Sequence, residues 1–282
     1  MEGRLEITGY VTAFIDILGL AHELGQLDRI FEPDVHSDEV LKSARQSLGA
    51  ILRLRRSIEG FFHGFPEAPK PPGPLDEAQR VIWDRAHSPK LVVQYVSDSV
   101  VLSTRIQADN PEGSWVGVHR LFKACAGASA YLLSHGHPCR GGIELGSGCE
   151  VAPNEVIGGA LASAHALEHK IAVVPRVVVG ARLAGVVLSN ASGRSSGVSP
   201  VERVLAELIR KCLWTDWDDQ VIIDFLDPEM LAGIEALAAR ECIDRVRSVV
   251  QAGFFDAVRR DDPDLVKKYA WLDEYVRART IL

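Results

Sequence analysis

Residues 90–106 read KLVVQYVSDSVVLSTRI. Two runs rich in β-branched residues, LVVQYV and VVLSTRI, are joined through Ser97, Asp98 and Ser99. Such runs favour strands, and a short polar stretch between them favours a tight reversal. The segment predicts a β-hairpin with Asp98 at its bend.

Upstream, FPEAPKPPGP (65–74) holds five prolines in ten residues, which neither a helix nor a central strand tolerates, so an exposed loop is expected there. Residues 37–62 before it read as a long helix. Ser37 can cap it, Asp38 and Glu39 suit its first turn, and Leu41, Ala44, Leu48, Ile51 and Leu52 form an apolar stripe. Earlier still, VTAFIDILGLAHELG (11–25) belongs to a strand over 8–18 followed by a helix from about Leu20. One aspartate, Asp16, interrupts its apolar run.

Downstream, a helix is predicted over 114–134, with Val118, Leu121, Phe122, Cys125, Ala128 and Leu132 on one face. PCRGGIELGSG (138–148) reads as a glycine-rich strand, 158–169 as an alanine-rich helix and IAVVPRVVVG (171–180) as another strand. Helix is expected over 199–213, strand over QVIIDFLD (220–227), and helix over 228–252, with Leu231, Ile234, Ala238, Cys242, Val246 and Val249 on one side. A last helix covers about 262–279. The front half follows a split βαβ plan with an antiparallel hairpin at its middle. We read one α+β domain: a core over 1–195 with a helical and proline-rich insertion at about 33–88, and a mainly helical C-terminal extension over 196–282.

The net charge of −7 argues against a surface that coats nucleic acid, though not against binding one nucleotide. MEGRLEITGY has no basic region followed by an apolar stretch, so no secretory signal is expected. No apolar run of about 18 residues marks a membrane span. Five scattered cysteines without a CxxC pair fit reduced thiols in a cytoplasm. His135, His137, Cys139 and Cys149 lie close in sequence and leave a zinc site open, but the two cysteines flank a strand.

The chemistry rests on two aspartates. Asp16 ends the first strand and Asp98 sits at the hairpin bend. In a split βαβ sheet these strands are neighbours, so the carboxylates can converge. A buried carboxylate is costly unless compensated, and a divalent cation compensates it; Mg²⁺ commonly uses one or two carboxylates with substrate phosphates and water. The plainer reading makes Asp16 a helix cap and Asp98 a turn residue. Backbone amides of Ile17, Leu18 and Gly19 stand at a helix entrance, where phosphate is favoured.

These residues carry a resemblance. FIDILGL resembles the first metal motif of class III nucleotidyl cyclases, and YVSDSVVLS stands where their second metal aspartate lies. CRGGIELG resembles their Arg-x-Gly strand, and VIGGALASAHALE the helix that follows. With Pro175 and Arg176 added, the combination over residues 8–180 looks most like the pyrimidine cyclases of Pycsar anti-phage defence. The resemblance implies a ferredoxin-like, palm-type cyclase core and a homodimer with active sites at its interface. It implies two Mg²⁺ or Mn²⁺ ions held by Asp16, Asp98 and the Ile17 carbonyl. The reaction implied is cyclisation of UTP or CTP with release of pyrophosphate, the cyclic product going to a separate effector protein. Ile17, Leu18, Gly19, Ser97 and Arg176 would contact substrate, with Arg140 as a catalytic cation or, equally, one half of an ion pair at the strand start.

The sequence also departs from that family. Aligned on Leu167-Glu168, its ribose-orienting Asn and transition-state Arg fall on Ala162 and Ala166, and a purine-reading position falls on Gly159. Either other residues serve a different base, or the domain only binds. Tyr95, Ser97 and Ser99 lie near enough to the bend to reach a pyrimidine edge, although Tyr95 also suits a sheet aromatic. Alternatives are an adenylate or guanylate cyclase on the same scaffold and a degenerate nucleotide-binding module. No GGDEF-like signature points to a diguanylate cyclase.

Overall fold

The computed structural model describes residues 6–20, 37–63, 76–77, 80, 89–231 and 236–280. The proline-rich stretch at 65–74 and most of the helix expected after Leu20 lie outside these residues. The hairpin forms as its sequence predicts. β2 (Leu91–Val96) and β3 (Ser99–Ile106) pair antiparallel, with Val96 opposite Ser99, and Ser97 takes a left-handed φ of 53° in the two-residue turn.

β1 (Thr8–Ile17) lies between β3 and β4 (Cys139–Ala152), antiparallel to both. Because β3 enters between β1 and β2, the opening βαβ unit is split. β5 (Glu155–Ile157) folds back on β4. β6 (Val177–Val179) joins β4 in parallel, β8 (Val221–Ile223) pairs antiparallel with β6, and β7 (Leu213–Thr215) takes the far edge. The result is an α+β fold: a mixed eight-stranded sheet with helices packed on it.

Alternation along β1 assigns its two faces. Val11, Ala13, Ile15 and Ile17 point into the main core with Val100 and Leu102 of β3. α1 (Ser37–His63) and α2 (Pro111–Ser134) belong to that side. Residues on nearly every side of α2 are buried, from Gly113 to Ser134, so a single apolar face understates its position: it is the central helix of the core. Asn110 starts it, its side chain accepting from the Gly113 amide at 3.2 Å.

Tyr10, Thr12, Phe14 and Asp16 fall on the opposite face, where α3 (Gly159–Lys170) packs across β1 and β4. This packing accounts for the glycines of β4. A Cβ at Gly142 would stand 2.5 Å from the Leu167 Cβ and closer still to the Ala164 carbonyl oxygen; one at Gly146 would meet the Ala160 backbone. Backbone cannot yield as a flexible side chain can. Gly142→Ala is therefore expected to destabilise the chain by about 1–3 kcal/mol, read from a denaturant midpoint. A variant as stable as its parent would sink this account of the strand.

α1 turns differently from the expectation. Of the expected stripe Leu41, Ala44, Leu48, Ile51 and Leu52, Ile51 is buried as expected, yet Leu48 and Leu52 are 50% and 49% exposed. The buried set is Ser47, Ala50, Ile51, Leu54, Ile58 and Phe62. Both stripes have helical spacing; the second carries the larger side chains where α1 meets α2, including Phe62, and so buries more apolar area.

The C-terminal segment contributes β7 and β8 to the sheet and helices to the core. α4 (Ala181–Ala191) and α5 (Pro200–Lys211) lead into β7, and Ser199 with Glu202 forms a capping box at the start of α5. The expected helix over 228–252 is described as α6 (Pro228–Leu231) and α7 (Ala236–Arg259), with Ile234 outside the described residues. Cys242, Val246 and Val250 of α7 join the same core as Leu272 and Tyr275 of α8 (Pro263–Thr280). Among the described residues, no helix is long and apolar enough to cross a membrane. All five cysteines are free and buried.

Candidate functional site

Asp16 is the last but one residue of β1, directly opposite Ser99 on β3 and Arg140 on β4. Its Oδ1 accepts a hydrogen bond from Ser99 Oγ at 2.9 Å. Its Oδ2 has Arg140 Nη2 at 3.6 Å, beyond hydrogen-bond reach. Asp98 precedes Ser99 in the turn. Its charge acts on Asp16, which the register sets opposite the next residue, Ser99.

The electrostatics suit a cation. Burial pushes the Asp16 carboxyl above its ordinary value of 3.8; Ser99's hydrogen bond pulls it back, Asp98 raises it again, and Arg140 lowers it. Among the described residues, its Oδ2 has only the Arg140 guanidinium, at 3.6 Å. A divalent ion would meet that oxygen and reverse both unfavourable effects. No group of three His, Cys, Asp or Glu residues fit to hold a metal occurs among the described residues, so the open zinc reading gains no support.

The shift in Asp16 has a sign. A carboxyl with a raised folded pKa takes up protons on folding between its unfolded and folded values, so stability falls as pH rises through that interval. At neutral pH the ionised group is carried at a cost. Asp16→Asn is expected to raise the melting temperature of the metal-free chain by a few degrees. Mn²⁺ should raise that of the parent chain and leave the variant unmoved. A thermal melt of both with and without Mn²⁺ checks this, and stabilisation of the variant by Mn²⁺ equal to that of the parent would overturn the assignment.

Arg140 carries the ion pair left open as one of its two roles. Its Nε lies 2.6 Å from Glu168 Oε1, close but not aligned for a hydrogen bond. Glu168 is buried on α3; its burial pushes the carboxyl up, and Arg140 pulls it back. The same guanidinium borders Asp16 and remains partly exposed, so it stays within the site.

No known family model, curated protein or solved structure matches this chain.

Two expected substrate contacts are corrected by the geometry. The Leu18 amide donates to the Pro138 carbonyl at 2.9 Å, which removes it as a phosphate donor. Arg176 is 3% exposed, and its guanidinium is held by Asp216, Asp218 and the Ile171 carbonyl. Gly19 adopts φ +85°, and no described residue beyond its chain neighbours lies within 4 Å of where a Cβ would stand. Ser97 is exposed at the turn, its carbonyl accepting from Arg55 at 3.2 Å.

Tyr95 is engaged by α1: its hydroxyl donates to Glu59, and Arg55 stacks 4.3 Å from its ring centroid. Burial and Glu59 push its pKa up to about 12. On α3, Ala162 is exposed and Ala166 half-buried. Sequence reasoning missed His165 and His169. His165 sits edge-on to Phe14 at 4.9 Å and stacks with His169, on the face that also carries Asp16. Their i, i+4 spacing was the available signal, with nothing to say that Phe14 would meet it.

Proposed function

We propose that this chain is a metal-dependent nucleotidyl cyclase that converts UTP or CTP to the 3′,5′-cyclic monophosphate and pyrophosphate. The observation that carries the proposal is the placing of Asp16, at the end of β1, opposite the strand residue that follows Asp98, at one end of a split antiparallel unit ordered β2-β3-β1-β4. On this reading the unit is the ferredoxin-like core of the class III cyclases, which the chain's motifs resemble.

Asp16, Asp98 and the Ile17 carbonyl would hold one or two Mg²⁺ or Mn²⁺ ions. When bound, such ions supply Lewis-acid polarisation of the 3′-hydroxyl and neutralise triphosphate charge. The chain itself contributes positioning. Ser99 and the two flanking strands fix Asp16, Glu168 orients Arg140 beside it, and the open backbone at Gly19 admits a phosphate. Ala162 and Ala166 lack the groups that serve purine cyclases, which favours a pyrimidine. The same two alanines, and Arg140's engagement with Glu168, also favour a second reading, a module that binds nucleotide without turnover. Exposed Leu48 and Leu52 on α1, together with Tyr95 and Val96 on the edge strand β2, support a homodimer. In a bacterial cytoplasm the product would signal to a separate anti-phage effector.

The test is incubation of the folded chain with ATP, GTP, CTP and UTP and Mn²⁺ or Mg²⁺, with products identified by mass spectrometry. Cyclic UMP or cyclic CMP is expected. A cyclic purine would overturn the base assignment, and no product from any nucleotide would favour the binding module.

A further inference from the structure

A cavity of about 350 Å³ lies at the other end of the sheet, where β2 begins. Pro89, Val92 and Tyr10 form part of its wall. Tyr10 stands six residues before Asp16 on β1, so roughly 20 Å separates the two sites at the rise of an extended strand. The cavity owes nothing to the aspartate pair.

Two residues of the cavity wall, Tyr10 and Arg105, each carry a donor without a partner among the described residues. Tyr10 is 3% exposed, and no protein group among the described residues hydrogen-bonds its hydroxyl, which lies within the fields of Arg105 and Glu150. Arg105 Nε is buried and also unmatched, while its Nη2 reaches the exposed Glu6. The Tyr10 hydroxyl and the Arg105 side chain belong to one cavity wall, where an acceptor would meet a hydroxyl donor and a cation together. Lys90 lies in the same wall, its Nζ 2.6 Å from Glu150 Oε1, and so neutralises the carboxylate of that wall. Pro89, Val92 and the Tyr10 ring offer apolar surface beside these donors.

We propose that this cavity binds a small molecule that joins an apolar or aromatic body to a single oxyanion, a carboxylate or a phosphate monoester. The oxyanion lies between the Tyr10 hydroxyl and Arg105, and the body packs against Val92 and Pro89. The surface pair with Glu6 yields to the ligand at little cost.

Calorimetric titration of the full chain in EDTA, with phenyl phosphate, benzoate and orthophosphate in turn, tests this. One-to-one saturable binding of phenyl phosphate or benzoate is expected, tighter than that of orthophosphate, and the tighter of the two names the oxyanion. Tyr10→Phe, which keeps the ring and its packing, and Arg105→Gln should each raise Kd about tenfold. Asp98→Asn should leave Kd unchanged, which separates this site from the proposed cyclase centre. Absence of saturable heat with all three compounds overturns the proposal, as does a Kd that ignores both cavity substitutions or responds to Asp98→Asn.

Discussion

Asp98→Asn is expected to leave the chain folded and to lower metal-dependent cyclisation of nucleoside triphosphate by about 10³-fold. The fold should survive because Asp98 lies in a two-residue turn and Asn is as good a turn former there. Activity should not, because the proposed cation site rests on the Asp16–Asp98 pair, and Asn supplies neutral oxygen in place of charge. The substitution also has a signature that a structural role would not produce. Asp98's charge helps raise the Asp16 carboxyl, so its removal lets Asp16 ionise at lower pH. Metal binding governed by Asp16 should then persist to lower pH in the variant even though its affinity at neutral pH is weaker. Mn²⁺ titrations across pH 4–7, alongside turnover, read both effects. Full activity in Asp98→Asn would remove the aspartate pair as the basis of the function.

The hairpin and the glycine-rich strand were legible in the sequence because each rests on local chemistry. β-branched runs with a polar bend admit few alternatives, and the glycines of β4 mark where α3 touches the sheet backbone. The adjacency of β1 and β3, which sets Asp16 opposite Ser99, followed from the split βαβ plan alone. What escaped the sequence depends on contacts made across long separations. α1 offers two apolar stripes of the same period, and only the position of α2 decides between Leu48 and Leu54. β7 is three residues long, too short for any period to show. Leu18 looked available at a helix entrance, and its amide is taken by Pro138, 120 positions along the chain. Glu168 was part of a quoted motif, yet its partnership with Arg140 needs α3 laid across β4. The same limit governs Arg176, whose acidic partners lie about forty residues downstream.

Arg176→Leu is expected to destabilise the chain by about 3–5 kcal/mol, because it strands a buried carboxylate. Asp216 is held by the guanidinium, the Trp217 amide at 2.8 Å and the Trp271 indole N–H at 3.1 Å. Two neutral donors would remain against a full charge out of water. Burial alone would depress the Arg176 pKa; Asp218 and Asp216 more than offset it, so the cation is fixed at every pH of interest. The contact also joins elements: Arg176 precedes β6, Asp216 follows β7, and Trp271 belongs to α8. Loss of the cation should therefore loosen α8 against the sheet, lowering the denaturant midpoint with a melting-temperature drop of about 10 °C. Arg176→Leu combined with Asp216→Leu should recover much of the loss, since an apolar pair leaves no orphaned charge. If Arg176 instead gripped substrate phosphate, the single variant would keep its stability and lose nucleotide affinity. Equilibrium unfolding of the single and double variants distinguishes the two roles without any assay of activity.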